Sequence, residues 1–308
     1  MFKGSLVALI TPFQDGEVDV ARLEEIVEYH VDSGTHGLVP CGTTGESATL
    51  SHEEHDLVIE TVVRKADGRI PVLAGTGSNS TAEAIRMTAF ARDIGADGAL
   101  VITPYYNKPT QEGMFRHFEA VAMAVDIPIV LYNVPPRTAI DMTPETVARL
   151  AEIPGIIGIK EASGSVDRVV EIQRVCDIDV LSGDDSLTLP LMSVGAKGVI
   201  SVAANVVAKL VVDLVDFAAA GDFAGAKELH FRLFPLFKAL FVETSPIPVK
   251  AAAAMVGLSG PDLRLPLVKA SETTSKKLES VLNELEVSIE FASGSSGTAS
   301  CGAGSVSG

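Results

Sequence analysis

Long apolar runs are missing from this chain of 308 residues. Its hydrophobic stretches are short and broken by charge, and none approaches the roughly 20 residues a membrane-spanning helix requires. Cysteine is scarce: Cys41, Cys176 and Cys301 match neither a disulfide framework nor a metal-binding spacing. The opening Met1-Phe2-Lys3-Gly4-Ser5 leads straight into a strand-like segment without a signal-peptide pattern. These absences point to a reducing, cytoplasmic setting. Positive charge is short as well, with 24 Lys and Arg against 40 Asp and Glu and a net charge of −16. Nucleic acid and anionic membranes are therefore disfavoured as partners, whereas an anionic substrate needs only a few cations converging in one pocket. No phosphate-binding glycine fingerprint opens the first strand, and Gly75-Thr76-Gly77 is too short to support a nucleotide site. His52 and His55 stand three apart on a helix without further ligands, so no metal site is expected.

What the chain does have is rhythm. With 47% hydrophobic residues it can bury one large core or two modest ones. Eight short apolar segments read as strands: Ser5–Ile10, Gly37–Cys41, Ile70–Ala74, Gly98–Ile102, Ile127–Tyr132, Gly155–Lys160, Asp179–Ser182 and Gly198–Ser201. Helix-period segments lie between them. The first places Leu23, Ile26, Val27, His30 and Val31 on one face. Ser51 with Glu54 and Ser80 with Glu83 match capping boxes, and Thr143-Pro144 is an N-cap followed by proline at the first helical position. Strands alternating with helices imply parallel pairing and right-handed crossovers. Eight such units over about 220 residues predict a (β/α)₈ TIM barrel, with an open doubly wound sheet as the weaker alternative. From about Ala218 the strand signal stops. Residues 222–241 and 246–257 read as helices, and a last one carries Leu278, Val281, Leu282 and Leu285. The expected organisation is a catalytic barrel over 1–221, a small C-terminal helical domain over 222–290, and a Gly/Ser-rich tail over 291–308 too poor in apolar residues to order itself.

One residue breaks the pattern of the sixth strand. Lys160 closes Gly155-Ile156-Ile157-Gly158-Ile159, a segment that reads as buried on both faces. An ammonium there is costly in low dielectric, which favours the neutral amine, a nucleophile for carbonyl carbon. A lysine that snorkels from the strand end to solvent is the plain alternative. Barrel enzymes carry their chemistry at the C-terminal ends of strands. Those positions here hold Gly42-Thr43-Thr44-Gly45-Glu46-Ser47, Thr103-Pro104-Tyr105-Tyr106-Asn107, Tyr132-Asn133-Val134-Pro135-Pro136-Arg137-Thr138 and Lys160-Glu161. Three of the four tyrosines fall within them. Phenols beside a threonine and an amine suit the proton transfers of imine chemistry, although half-buried structural tyrosines are also common. Gly42 and Gly45 let backbone donors approach a carboxylate, or simply make a tight turn. Arg137 either clamps a substrate carboxylate or pairs with a surface acid.

Taken in order, GTTGES, TPYYN, YNVPPRT, GIIGIKEASG, LSGDD and GVISV resemble the 4-hydroxy-tetrahydrodipicolinate synthase (dihydrodipicolinate synthase) family, from Met1 to about Leu285. The wider superfamily of pyruvate-dependent lyases, N-acetylneuraminate lyase included, shares the barrel and the lysine. The resemblance implies that Lys160 forms a Schiff base with pyruvate, and no cofactor is implied. It implies that the resulting enamine attacks L-aspartate 4-semialdehyde, at the first committed step towards diaminopimelate and L-lysine. By the same resemblance Tyr132 shuttles protons, and Thr43 links it to Tyr106 of a neighbouring subunit. Thr43 and Thr44 cradle the pyruvate carboxylate with Gly183 and Ile200 nearby, and Arg137 receives the second substrate's carboxylate. A homotetramer built as a dimer of dimers is implied. So is feedback inhibition by L-lysine at Ser47, Ala48, His52, His55, Asn79, Glu83 and Tyr105; two solvated helix faces with both histidines exposed are the alternative. Ser245 stands where the family often has asparagine, and Cys41 is an unusual lead into GTTGE. The competing functions are another pyruvate-forming aldolase, such as a neuraminate or keto-sugar-acid lyase, and a silent homologue that binds keto acids or lysine.

Overall fold

The computed structural model describes residues 2–287; the segment 291–308, Cys301 included, lies outside the described residues. Eight strands form one parallel sheet: β1 (Gly4–Ala8), β2 (Gly37–Val39), β3 (Leu73–Gly75), β4 (Gly98–Ile102), β5 (Ile129–Asn133), β6 (Ile156–Glu161), β7 (Asp179–Ser182) and β8 (Gly198–Ser201). Their spatial order is β2-β1-β8-β7-β6-β5-β4-β3. A parallel bridge from Leu38 to Val72 joins the two ends, reinforced by Gly75 N donating to the Pro40 carbonyl at 2.9 Å, so the sheet closes on itself as the expected barrel.

Side-chain alternation divides the apolar residues into two cores. Leu6, Ala8, Val39, Leu73, Leu100, Val130, Leu181 and Ile200 fill the barrel interior. Their strand neighbours Val7, Leu38, Ala74, Val101, Leu131, Val180 and Val199 belong to the larger core beneath the surrounding helices. Both faces of each strand are thus buried, which is why the strands read as near-continuous apolar runs. The fifth strand starts at Ile129, not at Ile127, because Pro128 has no N–H to give to a ladder. It ends one residue later than expected, since Asn133 pairs with Glu161. An unanticipated hairpin, Phe13–Gln14 against Glu17–Val18, turns through Asp15 (φ 54°) and Gly16 (φ 88°). Asp-Gly is the sequence signal for such a turn.

The helices α1 (Val20–Asp32), α2 (His52–Ala66), α3 (Thr81–Asp93), α4 (Gln111–Ala124), α5 (Pro144–Ala151), α6 (Val166–Val175), α7 (Thr188–Ser193) and α8 (Ala204–Ala219) connect or follow the strands. Helix α1 buries Leu23, Ile26, Val27 and His30, with Val31 partly covered. Ser51 and Glu54 form the predicted capping box, and Thr143 accepts from Thr146 N ahead of α5. The Ser80–Glu83 box is not formed: Ser80 makes no side-chain cap bond. Glu83 instead binds the Ser78 hydroxyl and His52, because tertiary partners outcompete one local capping bond. Beyond α8, α9 (Phe223–Ala239), α10 (Ile247–Met255) and α11 (Glu272–Glu284) form the C-terminal helices. Helix α9 packs on α8, and α11 packs on both α9 and α10. Leu278, Val281, Leu282 and Leu285 are buried there as their spacing predicts.

His30 is wholly buried, its Nδ1 3.0 Å from Thr35 Oγ1, and burial lowers its pKa to about 3. The unfolded chain takes up a proton near pH 6.5 that the folded chain refuses until about pH 3. Stability is therefore full above pH 6.5 and falls as acid is added, by at most about 1.4 kcal/mol per pH unit from this residue. The expected result in urea titrations at pH 6.5 and 5.0 is a smaller loss of stability for His30→Gln than for the native chain. An equal loss in both sinks the assignment.

Candidate active site

Strand alternation decides where Lys160 points. Ile159 belongs to the core beneath the helices, so Lys160, the next residue, faces the barrel interior. It is 6% exposed, which rules out the snorkelling alternative. In the β5–β6 register Tyr132 lies beside Lys160, and Nζ sits 4.2 Å from the centre of the Tyr132 ring. Among the described residues no carboxylate lies within ion-pair distance of Nζ. Asp184, just past β7, feels the Lys160 charge. Burial pushes its carboxyl above the ordinary range, while the positive charges of Lys160 and Lys238 act in the opposite sense. A buried amine against a phenol, without an ion-pair partner, is free for chemistry rather than committed to structure.

One register step further out, Asn133 Nδ2 donates to Glu161 Oε2 at 3.1 Å and to Asp141 Oδ1 at 2.9 Å. Arg168 holds Asp141 through two bonds of 2.7 and 2.8 Å and keeps that carboxyl below its usual range. Burial raises Glu161, with Ser163 and Asn133 opposing. This network braces the strand ends that carry Tyr132 and Lys160. Sequence reasoning missed it, because Asn133 and Arg168 carry no local signal of being partners. Gly183 closes the same side: its N–H donates to the Glu161 carbonyl at 2.8 Å, and a Cβ there would stand 2.5 Å from Ala162 Cβ, so only glycine fits. Ile200, fully buried, belongs to the barrel-interior core.

A cavity of about 750 Å³ opens at this end of the barrel, and Thr43, Tyr132, Arg137, Thr138 and Ser245 all contribute to its wall. Thr43 is half-buried and Thr44 is 4% exposed. The turn that carries both is packed so closely that a Cβ on Gly45 would lie 3.0 Å from the Leu9 carbonyl oxygen. Arg137 stands on the one-turn helix Pro135–Thr138 and donates to the Ser245 carbonyl at 3.1 Å. It pairs with no acid among the described residues, so the surface-ion-pair alternative fails. Cys41 is buried, and burial pushes its thiol up; it leads into the turn with a φ of 54°.

Two placements depart from a single-protomer relay. Tyr106 is 90% exposed, and no hydrogen bond joins it to Thr43 or Tyr132 among the described residues. The proposed lysine-site residues do converge: Ser47, Ala48, His52, His55, Glu83 and Tyr105 line the same cavity. Asn79 is outside that wall, its carbonyl accepting from Asn107 Nδ2 at 2.9 Å. His52 Nε2 lies 3.2 Å from Glu83 Oε1. His55 is buried, not solvated, with Nε2 3.0 Å from the Gly75 carbonyl, and burial lowers its pKa. Among the described residues no group of three or more His, Cys, Asp or Glu side chains is placed to hold a metal ion.

A closed parallel barrel with a buried, inward-facing lysine near the end of its sixth strand is an arrangement suited to a barrel enzyme that works through a lysine amine. The dihydrodipicolinate synthetase family model matches residues 1–285, and the chain belongs to that family. It is 54% identical over 284 residues to the 4-hydroxy-tetrahydrodipicolinate synthase of Syntrophus aciditrophicus, covering 92% of this chain and 98% of that one. The crystal structure of dihydrodipicolinate synthase from Aquifex aeolicus superposes with a TM-score of 0.93 at 52% identity, over 94% of this chain and all of the other. The Cyanidioschyzon merolae enzyme, solved with lysine bound, superposes with a TM-score of 0.90 at 39% identity, over 93% and 99% of the two chains.

Proposed function

We propose that this chain condenses pyruvate with L-aspartate 4-semialdehyde to give 4-hydroxy-tetrahydrodipicolinate. The observation that carries the reading is the Lys160 amine buried against Tyr132, at a mouth where Arg137 pairs with no acid among the described residues. Lys160 adds to the pyruvate ketone; water leaves and an iminium forms, whose nitrogen draws electrons from the methyl carbon. Loss of a methyl proton gives the enamine, which attacks the aldehyde. The substrate amine then displaces Lys160 as the ring closes, returning the free amine. No external cofactor enters this sequence. Tyr132 carries protons at the imine nitrogen and Thr43 passes them on. Thr43 and Thr44, with Gly183 and Ile200 beside them, take the pyruvate carboxylate. Arg137 takes the carboxylate of the semialdehyde, a group that a sugar-acid lyase site would replace with hydroxyl-binding partners. The barrel over 1–221 carries the chemistry, and the helices of 222–290 support it.

Tyr106 projects from its own protomer, which suits a phenol delivered to the neighbouring subunit of a homotetramer assembled from two dimers. Among the described residues no helix is long and apolar enough to cross a membrane, consistent with a cytoplasmic enzyme. The test is pyruvate with borohydride, followed by mass spectrometry: a reduced adduct on Lys160, together with turnover of the semialdehyde, supports the reading. An unmodified Lys160 peptide overturns it.

L-Lysine is the proposed feedback inhibitor. Six of its seven assigned residues line one cavity with Thr43, Tyr132 and Arg137, Glu83 offers an anion to an amino group, and the C. merolae relative binds lysine. Activity is expected to fall as lysine is added at millimolar concentration, and less so for Glu83→Gln. A flat response with no measurable binding removes the claim.

A further inference from the structure

Among the lysines, Lys250 is buried as completely as any apolar core residue, and nothing in the condensation uses it. Its side chain and that of Glu46 are 0% and 1% exposed. Nζ lies 2.7 Å from Glu46 Oε1, donates to the Thr11 carbonyl at 2.9 Å, and stands 4.2 Å from the centre of the Phe13 ring. The second Glu46 oxygen accepts from Arg264 N at 3.1 Å. Glu46 has a φ of 56°, a left-handed conformation that is unfavourable for a side-chain-bearing residue and persists only when its surroundings enforce it.

These contacts converge on the turn that carries Thr43 and Thr44. Gly45 N donates back to the Gly42 carbonyl at 3.1 Å, and Ser47 N reaches the same oxygen at 3.4 Å. Thr11 Oγ1 donates to the Gly45 carbonyl at 2.7 Å. Thr11 therefore contacts the turn through its hydroxyl and Lys250 through its carbonyl, while Glu46 ties the end of the turn to the same ammonium. A buried ion pair is a poor device for stability alone, since two well-packed apolar residues of similar volume serve as well. What an ammonium adds is direction. Its donors fix the Thr11 and Glu46 oxygens relative to one another, and with them the backbone between Gly42 and Glu46.

We infer that Lys250 is a positioning residue for the substrate-carboxylate cradle: through Glu46 and Thr11 it holds the Thr43–Thr44 turn at the geometry that receives pyruvate. The inference rests on the reading that this turn takes the pyruvate carboxylate. Arg137 provides the internal control. It is held by the Ser245 carbonyl, five residues before Lys250, and a backbone contact survives a side-chain change at 250.

The experiment compares the native enzyme with Glu46→Gln/Lys250→Met, which removes both buried charges at similar volume, and with Thr11→Val, which removes only the hydroxyl contact. Steady-state kinetics give separate KM values for the two substrates. The expected result for the double variant is a pyruvate KM raised tenfold or more, with the semialdehyde KM within twofold and kcat within threefold of native. Thr11→Val is expected to raise the pyruvate KM about threefold, which decides the matter if the double variant does not fold. A native pyruvate KM in a folded variant, or an equal rise in both KM values, overturns the inference. Borohydride trapping of pyruvate on native Lys160 separates the two failures: no adduct there means the cradle reading itself is wrong, whereas an adduct with unaffected variants removes only the role of Lys250.

Discussion

Lys160→Arg is expected to lose turnover by about a thousandfold or more, with no pyruvate-dependent borohydride adduct anywhere in the barrel. Arginine keeps the positive charge and much of the reach, but its guanidinium stays protonated and forms no imine with a ketone. If Lys160 served only as a cation for the substrate carboxylate, arginine would replace it well, and activity would fall little. The two roles therefore separate cleanly. The fold should tolerate the change, because Nζ has no ion-pair partner among the described residues and faces the barrel mouth rather than the packed core between strands and helices. An unchanged thermal midpoint beside lost turnover is the expected signature. Residual activity above one tenth of native, or an adduct at another lysine, would refute covalent catalysis at this position.

The second large effect concerns stability. Lys250→Met leaves Glu46 in a site where its side chain is 1% exposed, with the Arg264 N–H but no counter-charge at its other oxygen. Stranding one member of a buried pair typically costs about 3–5 kcal/mol, because the desolvation of the remaining charge is no longer offset. In a chain of this size that is a fall in melting temperature on the order of 10 °C. Burial already pushes the Lys250 ammonium below its ordinary value, with Glu46 pulling the other way, so the pair is a balance and not a surplus. The double variant Glu46→Gln/Lys250→Met is accordingly expected to recover most of the loss. Thermal or urea unfolding of the three proteins measures it; a Lys250→Met protein as stable as native would show that water or local rearrangement solvates Glu46.

How far the site could be read without coordinates follows from the range over which each signal acts. Lys160 stood out because a charge at the end of an apolar strand violates a pattern that spans only six residues. Thr43, Thr44, Tyr132 and Arg137 came to notice as strand-end residues of a barrel, whereas Gly183 and Ile200 entered only through the family resemblance. Ser80 and Glu83 show the opposite case. Their spacing matched a capping box, yet Glu83 turned to Ser78 and His52, which a local motif cannot anticipate. The Asn133–Asp141–Arg168 brace was likewise invisible, since each member is an ordinary surface-type residue until the fold makes it a partner.

Periodicity and composition were enough to establish eight strand–helix units, the barrel that closes them and the helices after Ala218, and to single out Lys160 as the candidate nucleophile, because hydrophobic alternation and strand-end position are encoded over short spans of chain. Tertiary structure alone decided that Glu46 meets Lys250 across 204 positions, that His55 is buried while Tyr106 projects into solvent, and that Thr43, Tyr132 and Arg137 share a cavity wall with six of the seven proposed lysine-site residues. Those outcomes depend on which distant side chains share a low-dielectric space, and chain order carries no measure of that until the barrel has closed.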